Sequence, residues 1–314
     1  MDSVTNHKIN TISHNKTWLF VPATRIDRID KAFASGADAV IVDLEDAVAK
    51  QDKAAARDAL KNYYDEQNAK QTYRPIWLRI NQAGSEEFFK DIVLCQQMPN
   101  VAGVLLAKAE RAEDIESVYQ LIGLPIIALI ESAIGLYQVD SMAKAGGLAA
   151  FSYGFLDLCN DLQVQVGTPA ADIIANQIRY QLILTSKVHQ LSLPIDTIYP
   201  DFKDEVGLGD RVQLWSQMGM AGMLCIHPKQ VATVQQYLRP TGRELADARG
   251  DAPLLLWDTL QRLIDQTALF CGHDVHAEPS SEKAGRAGRD APQVGDGQIG
   301  TATPRTAARS RGAA

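Results

Sequence analysis

The stretch Leu124–Glu131, LPIIALIE, decides the fold of this chain. It predicts a buried strand, because an uninterrupted apolar run from Ile126 to Ile130 follows Pro125 and stops on a carboxylate. A continuous apolar run is typical of a strand covered on both faces, as in a parallel sheet. A carboxylate cannot stay unpaired in the core, so Glu131 belongs at the end of the sheet and is our first candidate for chemistry. The alternative is an acid that stabilises the next helix through its dipole.

The same pattern, an apolar run that ends in charged residues, recurs along most of the chain. The other strand candidates are Thr17–Pro22, Asp38–Leu44, Pro75–Ile80, Val101–Leu106, Leu148–Tyr153, Pro194–Tyr199 and Gly222–Ile226. Helical stretches follow the strands, at Arg25–Ala34, Gln51–Asn68, Ser85–Gln97, Glu113–Leu121, Ser132–Ala145, Ala170–His189, Asp204–Met218 and Lys229–Leu238. Such units, repeated at intervals of roughly 25–40 residues, predict an α/β protein with a (β/α)8 TIM barrel. A doubly wound open sheet is the alternative, but VPATR at the end of the first strand lacks the glycine-rich phosphate turn of that fold.

Composition divides the chain into four parts. We predict a flexible N-terminus over residues 1–16, the catalytic barrel over 17–240, a helical extension over 241–273 and a disordered tail over 274–314. The extension contains an apolar helical segment, Leu254–Phe270, which must bury its face on the outside of the barrel or against another subunit. We favour the second, and expect a homo-oligomer, a trimer or hexamer. The tail is rich in Gly, Ala, Arg, Ser and Pro, a composition typical of disorder.

Charge and hydropathy exclude several classes of function. A net charge of −7 argues against a general nucleic-acid-binding surface. The chain contains no run of about 18 apolar residues, the length that would predict a membrane span. The polar N-terminus lacks the apolar core of a signal peptide. The 4 cysteines are widely spaced and match no zinc pattern, so we expect reduced thiols in a cytoplasmic protein without nucleic-acid or membrane partners.

Charged residues at the strand ends form a candidate site. Glu131 and Asp157 follow adjacent strands and suit Mg²⁺, which takes one or two carboxylates and leaves its other positions to water and substrate oxygens. Arg79, two strands away, could bind a substrate carboxylate with two hydrogen bonds. A divalent ion and an arginine around a small keto or hydroxy acid suit the stabilisation of an enolate. The opposing interpretation is that these acids cap helices.

The motifs, taken together, resemble the citrate lyase β-subunit-like proteins of the HpcH/HpaI aldolase/citrate lyase family. The resemblance covers about Thr17–Leu238 and lies in TWLFVPATRIDRIDKAFASGADAVIVDLEDAV, LRIN, LLAKAE, ALIESAIGL, SYGFLDLCNDL, IDTIYPDFKD and MLCIHPKQV. It implies a Mg²⁺-dependent carbon–carbon lyase. The substrates so implied are 3-hydroxyacyl thioesters, such as citryl, malyl or citramalyl conjugates of CoA or of an acyl carrier.

The resemblance also implies roles for single residues. Glu131 of LIES and Asp157 of GFLDL would be the metal ligands, and Arg79 of LRIN would bind the carboxylate of the keto acid. The acids of DLEDAV would hold water around the metal or orient the arginine; they are Asp43, Glu45 and Asp46. Basic residues are candidates for substrate binding, the first three of them for the phosphates of CoA: Arg25, Arg28, Lys31 and Lys108.

The chain departs from the family pattern at several positions. Leu156 stands where relatives often carry a second acid, Gln163 replaces a common glycine, and Ala107 replaces a common proline before the lysine. None of these changes removes a proposed ligand, but they leave the acyl group open. His227 follows the last strand and is either a general acid or the side chain of a turn.

Four functions stay open at this point. The first is a freestanding lyase for a CoA thioester, and the second is the β subunit of a multi-protein citrate lyase that acts on an acyl carrier protein. The third is an aldolase for free keto acids, which would depend weakly on Arg25 and Lys31. The fourth is a barrel without catalysis, against which the presence of Arg79, Glu131 and Asp157 argues.

Overall fold

A computed structural model describes residue 12 and residues 14–99 and 101–239. Eight parallel strands close into a barrel in chain order, which confirms the predicted (β/α)8 TIM barrel. The strands are β1 (Thr17–Pro22), β2 (Ala39–Asp43), β3 (Ile76–Ile80), β4 (Val101–Leu106), β5 (Ile126–Ile130), β6 (Leu148–Tyr153), β7 (Ile195–Asp196) and β8 (Gly222–Cys225). The predicted helical extension over 241–273 and the tail over 274–314 lie outside the described residues.

Helices surround this barrel. They are α1 (Ile29–Ala34), α2 (Lys53–Ala69), α3 (Glu86–Gln97), α4 (Ala112–Ile122), α5 (Ala133–Tyr137), α6 (Val139–Met142), α7 (Phe155–Asp161), α8 (Pro169–Val188), α9 (Glu205–Met218) and α10 (Pro228–Tyr237). Their starts follow local sequence: Ser85 and Thr168 accept hydrogen bonds from the first turns of α3 and α8. None of the helices that the structure describes is both long and apolar enough to cross a membrane.

The apolar run of β5 is explained by burial on both faces. Ile127 and Leu129 pack inside the barrel, whereas the alternate side chains of the strand pack in the layer between the strands and the helices. Each fully buried isoleucine contributes about 1.5–3 kcal/mol to the free energy of unfolding. Inside the barrel, the indoles of Trp18 and Trp77 meet edge to face, 5.2 Å apart. Gly103 leaves them room, since a Cβ there would stand 2.3 Å from the Trp77 ring.

Three predictions of local structure were wrong. The seventh strand has two residues rather than six, because the polar side chains of Asp196 and Thr197 bond to β6, α8 and the first residue of α7. The helix predicted over 132–145 is divided into α5 and α6, which meet at Gln138. The helical stretches predicted from the sequence omitted the connection after β6, which contains α7, so that Asp157 lies in the first turn of a helix.

Candidate active site

Arg79 is fixed at the carboxyl end of β3 by two acids from β2 and the loop that follows it. The parallel register sets Asp43 beside Arg79. The guanidinium then donates from Nε to Oδ1 of Asp43 at 2.8 Å and from Nη2 to Oδ2 at 2.6 Å. Nη1 lies 3.3 Å from Oε2 of Glu45, and the Phe20 ring lies 5.0 Å from the guanidinium carbon. These acids hold the pKa of Arg79 above its ordinary value in spite of burial, so the arginine stays charged and oriented.

Glu131, just past β5, is a buried carboxylate at the barrel mouth. Its Oε2 accepts a hydrogen bond from the backbone N–H of Lys108 at 2.8 Å. Lys108 has a φ of 50°, an uncommon conformation for a lysine that is found at functional sites. Burial raises the pKa of Glu131 to about 7, against the opposing effects of this N–H and of Arg79. Gly154 passes directly over the carboxylate, since a Cβ there would stand 2.7 Å from Oε1.

Glu45 links two basic residues at the mouth of the barrel, Arg79 and Lys108. The charged residues at this mouth are called the rim; they are Asp43, Glu45, Asp46, Arg79, Lys108, Glu131 and Asp157. One oxygen of Glu45 bonds to the ammonium of Lys108, and the other lies near Arg79. Burial raises the pKa of Glu45 although both cations oppose the effect. Asp46 is exposed, and Lys108 Nζ lies 3.6 Å from its Oδ1. The pKa of Asp46 is lowered, because the hydrogen bond to Glu45 and the nearby cations outweigh its partial burial.

A buried lysine, Lys53, supports the backbone that carries Glu45, and its role was not predicted from the sequence. Lys53 Nζ donates to the carbonyl oxygens of Leu44 and Glu45, each at 2.7 Å, and to Asn81 Oδ1 at 2.8 Å. Asn81 in turn donates to Asp91. A lysine at the start of an alanine-rich helix looks solvent-exposed in sequence, so only its proximity to DLEDAV could have suggested the role.

A cavity of about 210 Å³ opens between these residues. Its walls contain Phe20, Asp46, Arg79, Leu129, Glu131, Tyr153, Gly154, Phe155, Leu156, Asp157, Thr197, Ile198 and Leu224. The structure therefore brings together four of the predicted site residues, Asp46, Arg79, Glu131 and Asp157, around one space. Leu156, which the sequence marked as a departure from the family pattern, lines it too, and so do Phe20 and Thr197, whose part in the site the sequence did not predict.

The donor set of this cavity fits Mg²⁺. Glu131 and Asp157 offer hard oxygen ligands from two neighbouring elements, and the Asp157 side chain is exposed to the space. Within residues 14–99 and 101–239, no three His, Cys, Asp or Glu side chains converge on a common point. An ion held here would take two carboxylates and complete its shell with water and substrate oxygens, as Mg²⁺ usually does.

Other predicted residues lie outside the cavity. Arg25 pairs with Asp27 at 2.8 Å and is exposed, and the same exposure is found at Arg28 and Lys31. Their assignment to the phosphates of CoA stays a prediction. His227 caps α10, where its Nδ1 accepts a hydrogen bond from the Lys229 N–H at 3.2 Å. The structure thus shows the turn role of His227.

Comparisons with known proteins agree with the barrel fold. The family model described as HpcH/HpaI aldolase/citrate lyase matches residues 16–228. The chain is 32% identical over 235 residues to the citrate lyase subunit beta-like protein of Mycobacterium tuberculosis, covering 74% of this chain and 82% of the relative. It is 30% identical over 229 residues to a (3S)-malyl-CoA thioesterase of Cereibacter sphaeroides, covering 72% of this chain and 78% of the relative. Among solved structures, CitE of M. tuberculosis in complex with magnesium, acetoacetate and coenzyme A matches with a TM-score of 0.66 at 30% identity, covering 76% of this chain and 86% of that one.

Proposed function

The chain belongs to the HpcH/HpaI aldolase/citrate lyase family of carbon–carbon lyases, and from this premise we propose that it is a Mg²⁺-dependent lyase for 3-hydroxyacyl-CoA. The products would be a keto acid and a shorter acyl-CoA. The observation that carries the proposal is the cavity in which Arg79, Glu131 and Asp157 meet. The CitE structure with magnesium and coenzyme A supports both the metal and the CoA thioester.

Glu131 and Asp157 would hold the metal ion. When bound, Mg²⁺ supplies positive charge that stabilises the negative charge developing on substrate oxygens. Arg79 would bind the substrate carboxylate through N–H groups that its acid partners leave available. Asp43 and Glu45 keep the guanidinium in one orientation, so the carboxylate and the reacting carbon beside it have a defined place.

The proposed reaction is a retro-Claisen cleavage. The hydroxyl on C3 loses its proton, and its oxygen becomes the carbonyl of the keto acid as the bond between C2 and C3 breaks. The electron pair of that bond stays on C2 as the enolate of the acyl thioester, which then takes up a proton. Arg79 acts at the C3 end of the substrate, where its charge keeps the departing keto acid oriented.

Assays on the purified chain with Mg²⁺ test the proposal. Citramalyl-CoA and malyl-CoA should yield pyruvate or glyoxylate together with acetyl-CoA, and chelation of the metal should stop turnover. Asp157→Asn should weaken Mg²⁺ binding, measured by calorimetry, and Arg79→Lys should raise KM because a lysine lacks the planar fork. The absence of both turnover and Mg²⁺ binding would contradict the proposal.

Hydrolysis of the thioester is a second candidate, favoured by the name of the C. sphaeroides relative. It would release the free CoA thiol and a hydroxy acid without any keto acid, so quantification of both product pairs separates the two reactions. Activity of the isolated chain on a CoA thioester would also separate the lyase from a β subunit that needs an acyl carrier protein. Turnover of free hydroxy acids would indicate the aldolase.

We also propose a cytoplasmic homo-oligomer, a trimer or hexamer. The support is the apolar segment 254–270, whose sequence needs a covering surface. Light scattering on the full chain measures the mass, and a monomer at micromolar concentration would contradict this part of the proposal.

A further inference from the structure

The active-site cavity contains few positive charges. Of its walls as the structure describes them, Arg79 is the one cationic side chain, whereas Asp46, Glu131 and Asp157 are acidic. Lys108 is not a lining residue, and its ammonium is engaged by two acids: it is bonded to Glu45 and lies 3.6 Å from Oδ1 of Asp46. The cavity can therefore neutralise a substrate carboxylate at only one protein side chain.

Arg79 itself has capacity for one carboxylate. A guanidinium has five N–H donors. Asp43 takes one on Nε and one on Nη2, and Glu45 faces Nη1 at 3.3 Å. The two donors that remain match the two oxygens of a single carboxylate, so a second acid group on the keto fragment would have to lie elsewhere.

The rest of the wall is a poor place for a charge. It is formed by the apolar side chains of Phe20, Leu129, Leu156, Ile198 and Leu224. Among the described lining residues, the hydroxyl of Tyr153 donates to Asp196 Oδ1 at 2.6 Å, and that of Thr197 accepts a hydrogen bond from the Phe155 N–H at 3.3 Å. Of these two hydroxyls, that of Thr197 keeps a neutral O–H to donate to a substrate oxygen. A carboxylate buried against these groups would lose its hydration without gaining a cation, which is costly.

We infer that this wall, with Leu156 at its exposed edge, is the specificity determinant for the keto fragment. It selects thioesters whose keto product carries one carboxylate and a hydrogen or small alkyl group, and it rejects a carboxymethyl group. Citramalyl-CoA and malyl-CoA are then substrates, and citryl-CoA is not. The inference rests on the proposed lyase function for its substrates, but the selectivity of the cavity can be measured on the keto acids alone.

The first test compares kcat/KM for the three thioesters at saturating Mg²⁺. We expect citryl-CoA to be at least about 100-fold poorer than the better of the other two, because a buried charge without a partner costs more than a missing methyl group. Leu156→Arg adds a cation at the edge of the wall, and should raise the ratio of kcat/KM for citryl-CoA to kcat/KM for citramalyl-CoA by about tenfold or more. Leu162→Arg is the matched control, since Leu162 is similarly exposed but lies outside the cavity, and it should leave the ratio unchanged.

The second test measures binding of keto acids to the Mg²⁺-loaded full chain by calorimetry, and does not require turnover. Pyruvate should bind at least about tenfold more tightly than oxaloacetate. The neutral isostere 4-methyl-2-oxopentanoate has the shape of oxaloacetate without its second charge, and should also bind more tightly than oxaloacetate. If the isostere and oxaloacetate bind equally weakly, the wall excludes size rather than charge and the inference is overturned.

The two tests separate failure of the inference from failure of the proposed function. Cleavage of citryl-CoA within tenfold of citramalyl-CoA would overturn the inference and leave the lyase intact. No cleavage of any thioester, together with tighter binding of pyruvate than oxaloacetate, would overturn the lyase and support the selectivity of the cavity.

Discussion

Replacement of Glu131 by glutamine should stabilise the metal-free protein while it removes a ligand of the proposed metal site. Burial raises the pKa of Glu131 from 4.5 to about 7. An acid with a raised pKa in the folded state favours folding while it is protonated, and this contribution is lost as the pH rises through about 7. The pKa difference corresponds to about 3 kcal/mol, and the side chain is only 5% exposed, so little is lost to solvent screening. Glutamine keeps the shape and an acceptor for the Lys108 N–H, but carries no charge.

Urea unfolding in the presence of a chelator at pH 5 and at pH 8 measures this effect. Glu131→Gln should gain up to about 3 kcal/mol over the wild type at pH 8 and little at pH 5, and it should lose Mg²⁺ binding and turnover. Asp157→Asn is the control, because an exposed carboxylate contributes little to the free energy of unfolding. This substitution should also weaken Mg²⁺ binding. A variant that is no more stable than wild type at pH 8, or whose gain is equal at both pH values, would refute the reasoning.

Two further predictions concern residues that hold the rim in place. Gly154→Ala should lower the free energy of unfolding by about 1–3 kcal/mol, measured in urea, and weaken Mg²⁺ binding, because the new Cβ would stand 2.7 Å from Oε1 of Glu131. A variant with wild-type affinity would contradict this. Lys53→Met should lower kcat/KM by about 10- to 100-fold, because the carbonyls of Leu44 and Glu45 lose their donor, and Lys53→Arg should recover part of the activity. Circular dichroism checks that both variants fold, and a fully active Lys53→Met would show that the rim is held without it.

The barrel could be predicted because its strands are buried on both faces. A run such as Ile126–Ile130 is short and follows Pro125, which favours a buried strand over a helix, and the rule that parallel strands present their carboxyl ends together then groups Arg79 with Glu131. β7 could not be predicted at its true length, since its polar residues are satisfied by partners distant in sequence. Asp196, for example, is bonded to Arg179 and Tyr153.

The parts of the site that the sequence did not indicate are those that depend on packing. The role of Lys53 requires knowledge of which carbonyl oxygens lie near the start of α2. The wall around Leu156 requires the curvature of the closed barrel, because its apolar side chains come from β1, β5, α7, β8 and the loop after β7. Neither follows from residue type or spacing, since a lysine and a leucine are ordinary at such positions.

A single electrostatic imbalance connects the main properties of the rim. Five carboxylates, those of Asp43, Glu45, Asp46, Glu131 and Asp157, face two cations, Arg79 and Lys108. With all of these groups ionised, the rim has an excess of three negative charges, and the deeply buried Glu131 is the acid that retains a proton near neutral pH. A divalent cation can replace that proton and leave one excess charge, to which the carboxylate of the substrate adds a second. A second substrate carboxylate would restore the original imbalance inside an apolar wall. The proposed affinity for a metal and the inferred preference for a monocarboxylate keto fragment therefore have the same physical origin.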